Sequence, residues 1–177
     1  MYSAAKLNPQ LEEDIIEGNE DFHSSANVYV VHSKNDLTLR CTKSIYNWWA
    51  THQENTPYKR DFQIIDHLRY ASNLYLAQRL DNGVYKFLVS GEDVNVITGR
   101  ETHNRTITYK DQHTKQDDNF NNLIKYYDQI LDDQSCHYCT GNTHILGKRT
   151  RGYESVDCPL LDQEGKPNYI LGAIQLT

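Results

Sequence analysis

The chain has 177 residues, 38% of them apolar, and carries 24 acidic against 18 basic side chains for a formal net charge of −6. With a mean hydropathy of −0.75 it fits one well-buried domain plus an extension under a very polar surface, and no window approaches the roughly 18 apolar residues of a membrane-crossing helix. The acidic balance argues against nonspecific nucleic-acid binding, which needs a basic face, and the N-terminus lacks a basic-then-apolar leader. The expectation is a cytoplasmic protein with Cys41, Cys136, Cys139 and Cys158 as reduced thiols.

Asn8-Pro9 ahead of LEEDIIE and Gly18 supplies an N-cap, a first-turn proline, first-turn acids and a glycine stop, which predicts a short helix. Its stripe of Leu11, Ile15 and Ile16 must dock on this domain or on a second copy. Residues 27–32, NVYVVH, read either as a strand or as an extended linker. A helix is predicted over 36–52, with Leu39, Thr42, Tyr46 and Trp49 at helical spacing and Cys41, Ile45 and Trp48 on the adjoining stripe. Both tryptophans then serve core or dimer packing, with an aromatic ligand cage as the alternative. Residues 61–68, DFQIIDHL, fit a short helical turn with Ile64, Ile65 and Leu68 inward.

Asn82-Gly83 between the alternating runs 73–80 and 84–90 predicts a hairpin closed by a type I′ turn, in which both central residues take positive φ. A short helix over 92–98 stopped by Gly99 follows, then a polar loop over 102–115. From Asp117-Asp118 a long helix carries Phe120, Leu123, Ile124, Tyr127, Ile130 and Leu131 as one apolar stripe, which must lie across a sheet. Three strands complete the chain, over 136–146, 152–161 and 168–177, the last two joined through Gly165 and Pro167. The fold class is therefore α+β: a five-stranded, mostly antiparallel sheet with helices packed on one face. Residues 35–177 form a single domain with its flanking helix 36–52, and residues 1–34 are an N-terminal extension of short helix and linker.

This order, a hairpin, short helices, one longer helix and a three-stranded meander, resembles a PAS domain. More closely, the chain is similar to a bacterial family of small, mostly stand-alone PAS-fold proteins. The motifs are Trp48-Trp49 leading to Pro57-Tyr58-Lys59-Arg60-Asp61-Phe62, then Phe87-Leu88-Val89-Ser90-Gly91 before Thr98-Gly99, then Cys158-Pro159-Leu160-Leu161-Asp162, Glu164-Gly165 and Ile170-Leu171-Gly172-Ala173. The resemblance spans roughly residues 45–177. Asn104 stands where the family has a glycine, Leu88 where it has a basic residue, and Asp132-Asp133-Gln134 where its turn is often glycine-containing.

The resemblance implies a non-catalytic PAS-like sensory or interaction module, with a small ligand held between the long helix and the inner sheet face, or pairing through the outer face and N-terminal helices. A pocket would be lined by Phe87 and Val89, by Leu123 and Tyr127, by Tyr138 or Cys139, by Val156 or Cys158, and by Leu171 or Ala173, the residues a closed core would also use. Asp157, a carboxylate at mid-strand, faces either water or a ligand. The expected partners are a second copy, meeting through Ile15, Ile16, Trp48 and Trp49, a signalling protein that carries the output, and a small apolar or aromatic ligand. Neither a cofactor nor a metal is assigned. The alternatives are a scaffold with a filled core and an enzyme or redox or metal protein built on Cys136, Cys139 and Cys158. A two-residue turn at Lys148-Arg149 would set Cys139 opposite Cys158, with His137 on the same face.

Overall fold

Alternating large apolar side chains along the last three strands give this sheet two buried faces, so helices are required on both sides of it. The computed structural model describes residues 26–52, 55–99, 101–109, 115–145 and 149–177. The predicted N-terminal helix with Leu11, Ile15 and Ile16 lies outside them.

The strands are β1 (Asn27–Val30), β2 (Leu74–Asp81), β3 (Val84–Ser90), β4 (Thr106–Thr108), β5 (His137–Ile145), β6 (Arg149–Leu161) and β7 (Pro167–Leu176). The helices are α1 (Arg40–Ala50), α2 (Glu92–Thr98) and α3 (Lys115–Asp133), with 3₁₀ turns at Lys34–Asp36, Lys59–Asp61 and Ile64–Asn73. All neighbouring strands pair antiparallel, in the order β1-β5-β6-β7-β2-β3-β4. The α+β class and the antiparallel sheet are as expected, but the described strands number seven rather than five. The two additional strands are the short edges: β1, from the segment read as strand or linker, and β4, from the segment read as loop.

One face of the sheet carries Tyr75, Ala77, Phe87, Cys139, Tyr153, Ile170 and Ile174 and packs against Val94 and Ile97 of α2 and Ile124, Tyr127, Ile130 and Leu131 of α3. The other carries Leu74, Val156, Cys158, Leu160, Leu171 and Ala173 and packs against Cys41, Ile45 and Tyr46 of α1. Helices on one face only was the expectation; α1 corrects it. At ~25 cal/mol per Å² of apolar surface, covering that second face is worth several kcal/mol.

The helix predicted over 36–52 starts at Arg40 because two caps divide its first turn. Ser33 and Asp36 close a capping box around the 3₁₀ turn Lys34–Asp36. Leu39, at the N-cap of α1, has no capping side chain of its own. Glu154 of β6 supplies the acceptor instead: its carboxylate takes hydrogen bonds from the backbone N–H groups of Thr38 (2.9 Å) and Leu39 (3.0 Å) and from the hydroxyls of Thr38 and Thr42.

The segment read as a helical turn over 61–68 also differs. Ile64, Ile65 and Leu68 point outward, the last two 68% and 63% exposed, and His67 is the buried member. A 3₁₀ turn advances each residue by 120° rather than 100°, which rotates the apolar set off the core. In the β2–β3 hairpin Gly83 takes φ +69° while Asn82 does not enter the left-handed region, and the register shifts between Arg79 and Asp81. One left-handed glycine beside a bulge closes the turn, in place of type I′. Asn104 at φ 60° and Gln134 at φ 47° adopt the left-handed conformation where a glycine was expected by resemblance. No helix among the described residues is long and apolar enough to cross a membrane.

Candidate functional site

Between α3 and the sheet lies a cavity of about 180 Å³. Its floor is Tyr75, Phe87, Cys139, Ser155, Asp157 and Ile174 of the sheet, and its roof is Phe120, Leu123, Tyr126 and Tyr127 of α3. Val94 and Thr98 of α2 and Thr102 close one side, while Ala26 and Val28 of β1's edge and Asn122 lie at the rim.

Strand register explains which predicted residues reach this space. β5 and β6 pair His137 with Asp157, Cys139 with Ser155 and Gly141 with Tyr153, so odd-numbered residues of both strands share the α3 face. Of the eight candidates for a pocket, Phe87, Leu123, Tyr127 and Asp157 line the cavity. Val156, Leu171 and Tyr138 belong to the α1 face, where Tyr138 stacks on Tyr29 with ring centroids 5.1 Å apart. Val89 leaves the α3 face because of a bulge: Leu76 pairs with Val89 but Ala77 with Phe87, which inserts Leu88 as an extra residue and reverses the facing on either side of it. Of the alternatives at each position, Cys139 is the one that reaches the cavity; Cys158 and Ala173 share the parity of Val156 and Leu171 and face α1.

The chemical centre is Asp157. Tyr75 donates to its Oδ1 and Tyr126 donates to its Oδ2 at 2.8 Å. The Tyr127 hydroxyl is hydrogen-bonded to that of Tyr75, and Cys139 is hydrogen-bonded to Tyr126 and Ser155. Burial raises the Asp157 carboxyl to about 6, while the two tyrosine hydrogen bonds work against that rise. Burial also lifts Tyr75, Tyr126 and Tyr127 well above the usual phenol range and Cys139 to about 12, so all four are neutral donors at physiological pH. Opposite Asp157, His137 is buried, its Nδ1 lacks a hydrogen-bond partner among the described residues, and burial lowers its pKa.

Gly172, directly opposite Asp157 on β7, makes this geometry possible. A Cβ there would overlap the ring of Tyr75, so the glycine is the space through which Tyr75 crosses to the carboxylate. Reading the sequence missed Tyr75, Tyr126, Tyr153, Ser155 and Phe120. The available signal was the strand parity shared by Tyr153, Ser155 and Asp157.

Cys136, Cys139 and Cys158 do not meet in one centre. β5 and β6 pair residues whose numbers differ from the predicted register by three, an odd step that puts Cys136 rather than Cys139 on the face of Cys158. Cys136 Sγ and Cys158 Sγ are 2.7 Å apart beneath α1, and Cys139 is across the sheet at the cavity. No group of three or more metal-binding side chains occurs among the described residues. Trp49 donates its indole N–H to Pro159 O at 2.9 Å, and Trp48 packs edge-on against Phe62 at 5.0 Å, so both are half-buried within their own chain. Pro159 is tolerated in β6 because β5 has ended by Asp157, leaving no ladder donor to replace on that side.

No protein-family model and no curated protein matches the sequence. Among solved structures, the chain is similar to the crystal structure of an IcIR transcriptional regulator from Alicyclobacillus acidocaldarius, at 10% identity and a TM-score of 0.30, over 63% of this chain and 53% of that one. The match thus spans about half the length of that regulator, and a similarity of this size assigns neither fold nor function.

Proposed function

We propose that this chain is a non-catalytic, cytoplasmic sensory or regulatory module of the PAS type in bacterial signalling, which holds a small ligand between its long helix and its sheet and passes the bound state to a protein partner. The observation that carries the reading is the cavity between α3 and the sheet, with one buried carboxylate held by two tyrosines and mostly apolar and aromatic walls. Unlike Glu154, which caps a helix, Asp157 bonds only to tyrosines that line the cavity, and the desolvation cost it carries is what a bound ligand would offset. The hairpin, the long helix and the final meander in that chain order are what the resemblance to PAS proteins led us to expect.

The redox alternative keeps only Cys136 and Cys158. Burial raises the pKa of Cys136 well above its ordinary value, which withholds the thiolate that exchange chemistry needs. In our reading the module also self-associates. If Trp48→Ala leaves the sedimentation behaviour of the folded protein unchanged, Trp48 is not part of that interface.

Native against denaturing mass spectrometry of freshly purified protein tests the reading. It predicts an extra mass that denaturation releases and that is reduced in Gly172→Ala, where the added Cβ overlaps the Tyr75 ring and distorts the Asp157 site. A bare mass, together with no thermal stabilisation by any member of a set of small apolar and aromatic compounds, contradicts it.

A further inference from the structure

The cavity's electrostatics narrow what it can hold. Asp157 is the one ionisable carboxylate in it, and no basic side chain lines it among the described residues. The groups facing Asp157 are Tyr75 from β2, Tyr126 and Tyr127 from α3, and Cys139 and His137 from β5, none of them cationic at neutral pH. An ionised carboxylate offers about four acceptor positions. Tyr75 and Tyr126 occupy two, so the remaining capacity is available to a donor from within the cavity. Around it stand six aromatic rings, Tyr75, Phe87, Phe120, Tyr126, Tyr127 and Tyr153, whose π faces carry negative charge density.

From this geometry we infer that the ligand is a small organic cation: an ammonium group against Asp157 joined to an apolar or aromatic body among the rings. The inference rests on the ligand-holding reading of the same cavity and adds the ligand's chemical class. An anion would meet both a carboxylate and the negative faces of the rings. A neutral molecule would leave the buried carboxylate without a counter-charge, its desolvation offset only by the hydrogen bonds from Tyr75 and Tyr126, which is costly in a low-dielectric site. An ammonium satisfies both features, since its N–H groups donate to the carboxylate and its charge is attracted to the rings. Because the Asp157 carboxyl titrates at about 6, it is available as the anion at pH 7 and above. The volume of about 180 Å³ is roughly six waters' worth, which limits the ligand to about ten non-hydrogen atoms.

Calorimetric titration of the full chain at pH 7.5 with three probes that all fit this volume tests this: phenethylamine, its neutral counterpart phenethyl alcohol, and its acidic counterpart phenylacetic acid. The amine is expected to bind about tenfold or more tightly than either of the others, and Asp157→Asn is expected to abolish that preference. The wild-type comparison decides the matter even if Asp157→Asn fails to fold. If the alcohol or the acid binds as well as the amine, the ammonium assignment is overturned while the ligand-holding reading stands. If none of the three binds but denaturation releases a neutral or acidic molecule from the purified protein, the outcome is the same. If none binds and the protein carries nothing, both fall.

Discussion

Asp157 carries an energetic signature that can be read without knowing the ligand. Its carboxyl rises from 3.8 to about 6 on folding, because burial outweighs the hydrogen bonds from Tyr75 and Tyr126. Between those two values the unfolded chain has released the proton and the folded chain has not, so stability falls as pH rises through that window and stays low above it. A shift of about two units corresponds to about 3 kcal/mol. Asp157→Asn, followed by urea denaturation across pH 3.5 to 8, is therefore expected to gain about 3 kcal/mol relative to the wild type between pH 4 and 6, and to differ by a constant elsewhere. His67 and His137, whose pKa values burial lowers, titrate in both proteins and largely cancel in the difference. A difference that is flat with pH would mean that Asp157 is already solvated or paired. Two thiols lend themselves to a simpler check: burial holds Cys41 and Cys139 at about 12, so neither should react with a disulfide reagent at pH 8 until the protein is unfolded.

At the scale of elements, two long-range contacts set the positions of the helix and strand that enclose the core. Glu154 caps α1 from the middle of β6, 115 residues away from Leu39. Burial acts to raise its pKa, but hydrogen bonds from Thr42, Leu39 and Thr38 more than offset that, and the carboxyl titrates below its ordinary value. The stabilisation is present above about pH 4.5 and is lost as pH falls through the lower, folded pKa. Glu154→Gln is expected to cost about 2 kcal/mol at pH 7, with the gap closing in acid, in the same denaturation assay. On the other face, Gly172→Ala drives a Cβ into the Tyr75 ring, which is buried and cannot swing away. The expected result is a loss of about 1–3 kcal/mol and a distorted Asp157 site. Local pattern revealed α3, because Ile124, Tyr127, Ile130 and Leu131 repeat at helical spacing and are all buried. It could not reveal the start of α1, because the residue that caps it lies in another strand. Nor could it reveal that Val89 turns away from Phe87, because the extra residue at Leu88 shows only in the pairing with β2.

Over the whole molecule, the chain order of the sheet's centre was legible: a hairpin, a long helix and a closing meander each have a period or turn signal of their own. Parity was not. Which face a strand residue meets depends on the register with its neighbour, and the predicted β5–β6 pairing was three residues out. That single odd step exchanged Cys139 for Cys136 beside Cys158, and choosing the wrong parity put Val156 and Leu171 at the pocket when they pack beneath α1. The edges β1 and β4, of four and three residues, are too short to announce themselves. The site itself was the least legible part, since Asp157 meets Tyr75 from 82 positions away and Tyr126 from 31. What the finished fold creates is a sheet with two different faces, one sealed by α1 and one enclosing a cavity under α3. Methyl-resolved nuclear magnetic resonance of the full chain, titrated with phenethylamine and separately with neutral indole, tests that division most directly. The methyls of Val94, Leu123 and Ile174 are expected to shift while those of Val156, Leu160 and Leu171 on the α1 face stay in place. Shifts confined to the α1 face, or none with either probe, would contradict it.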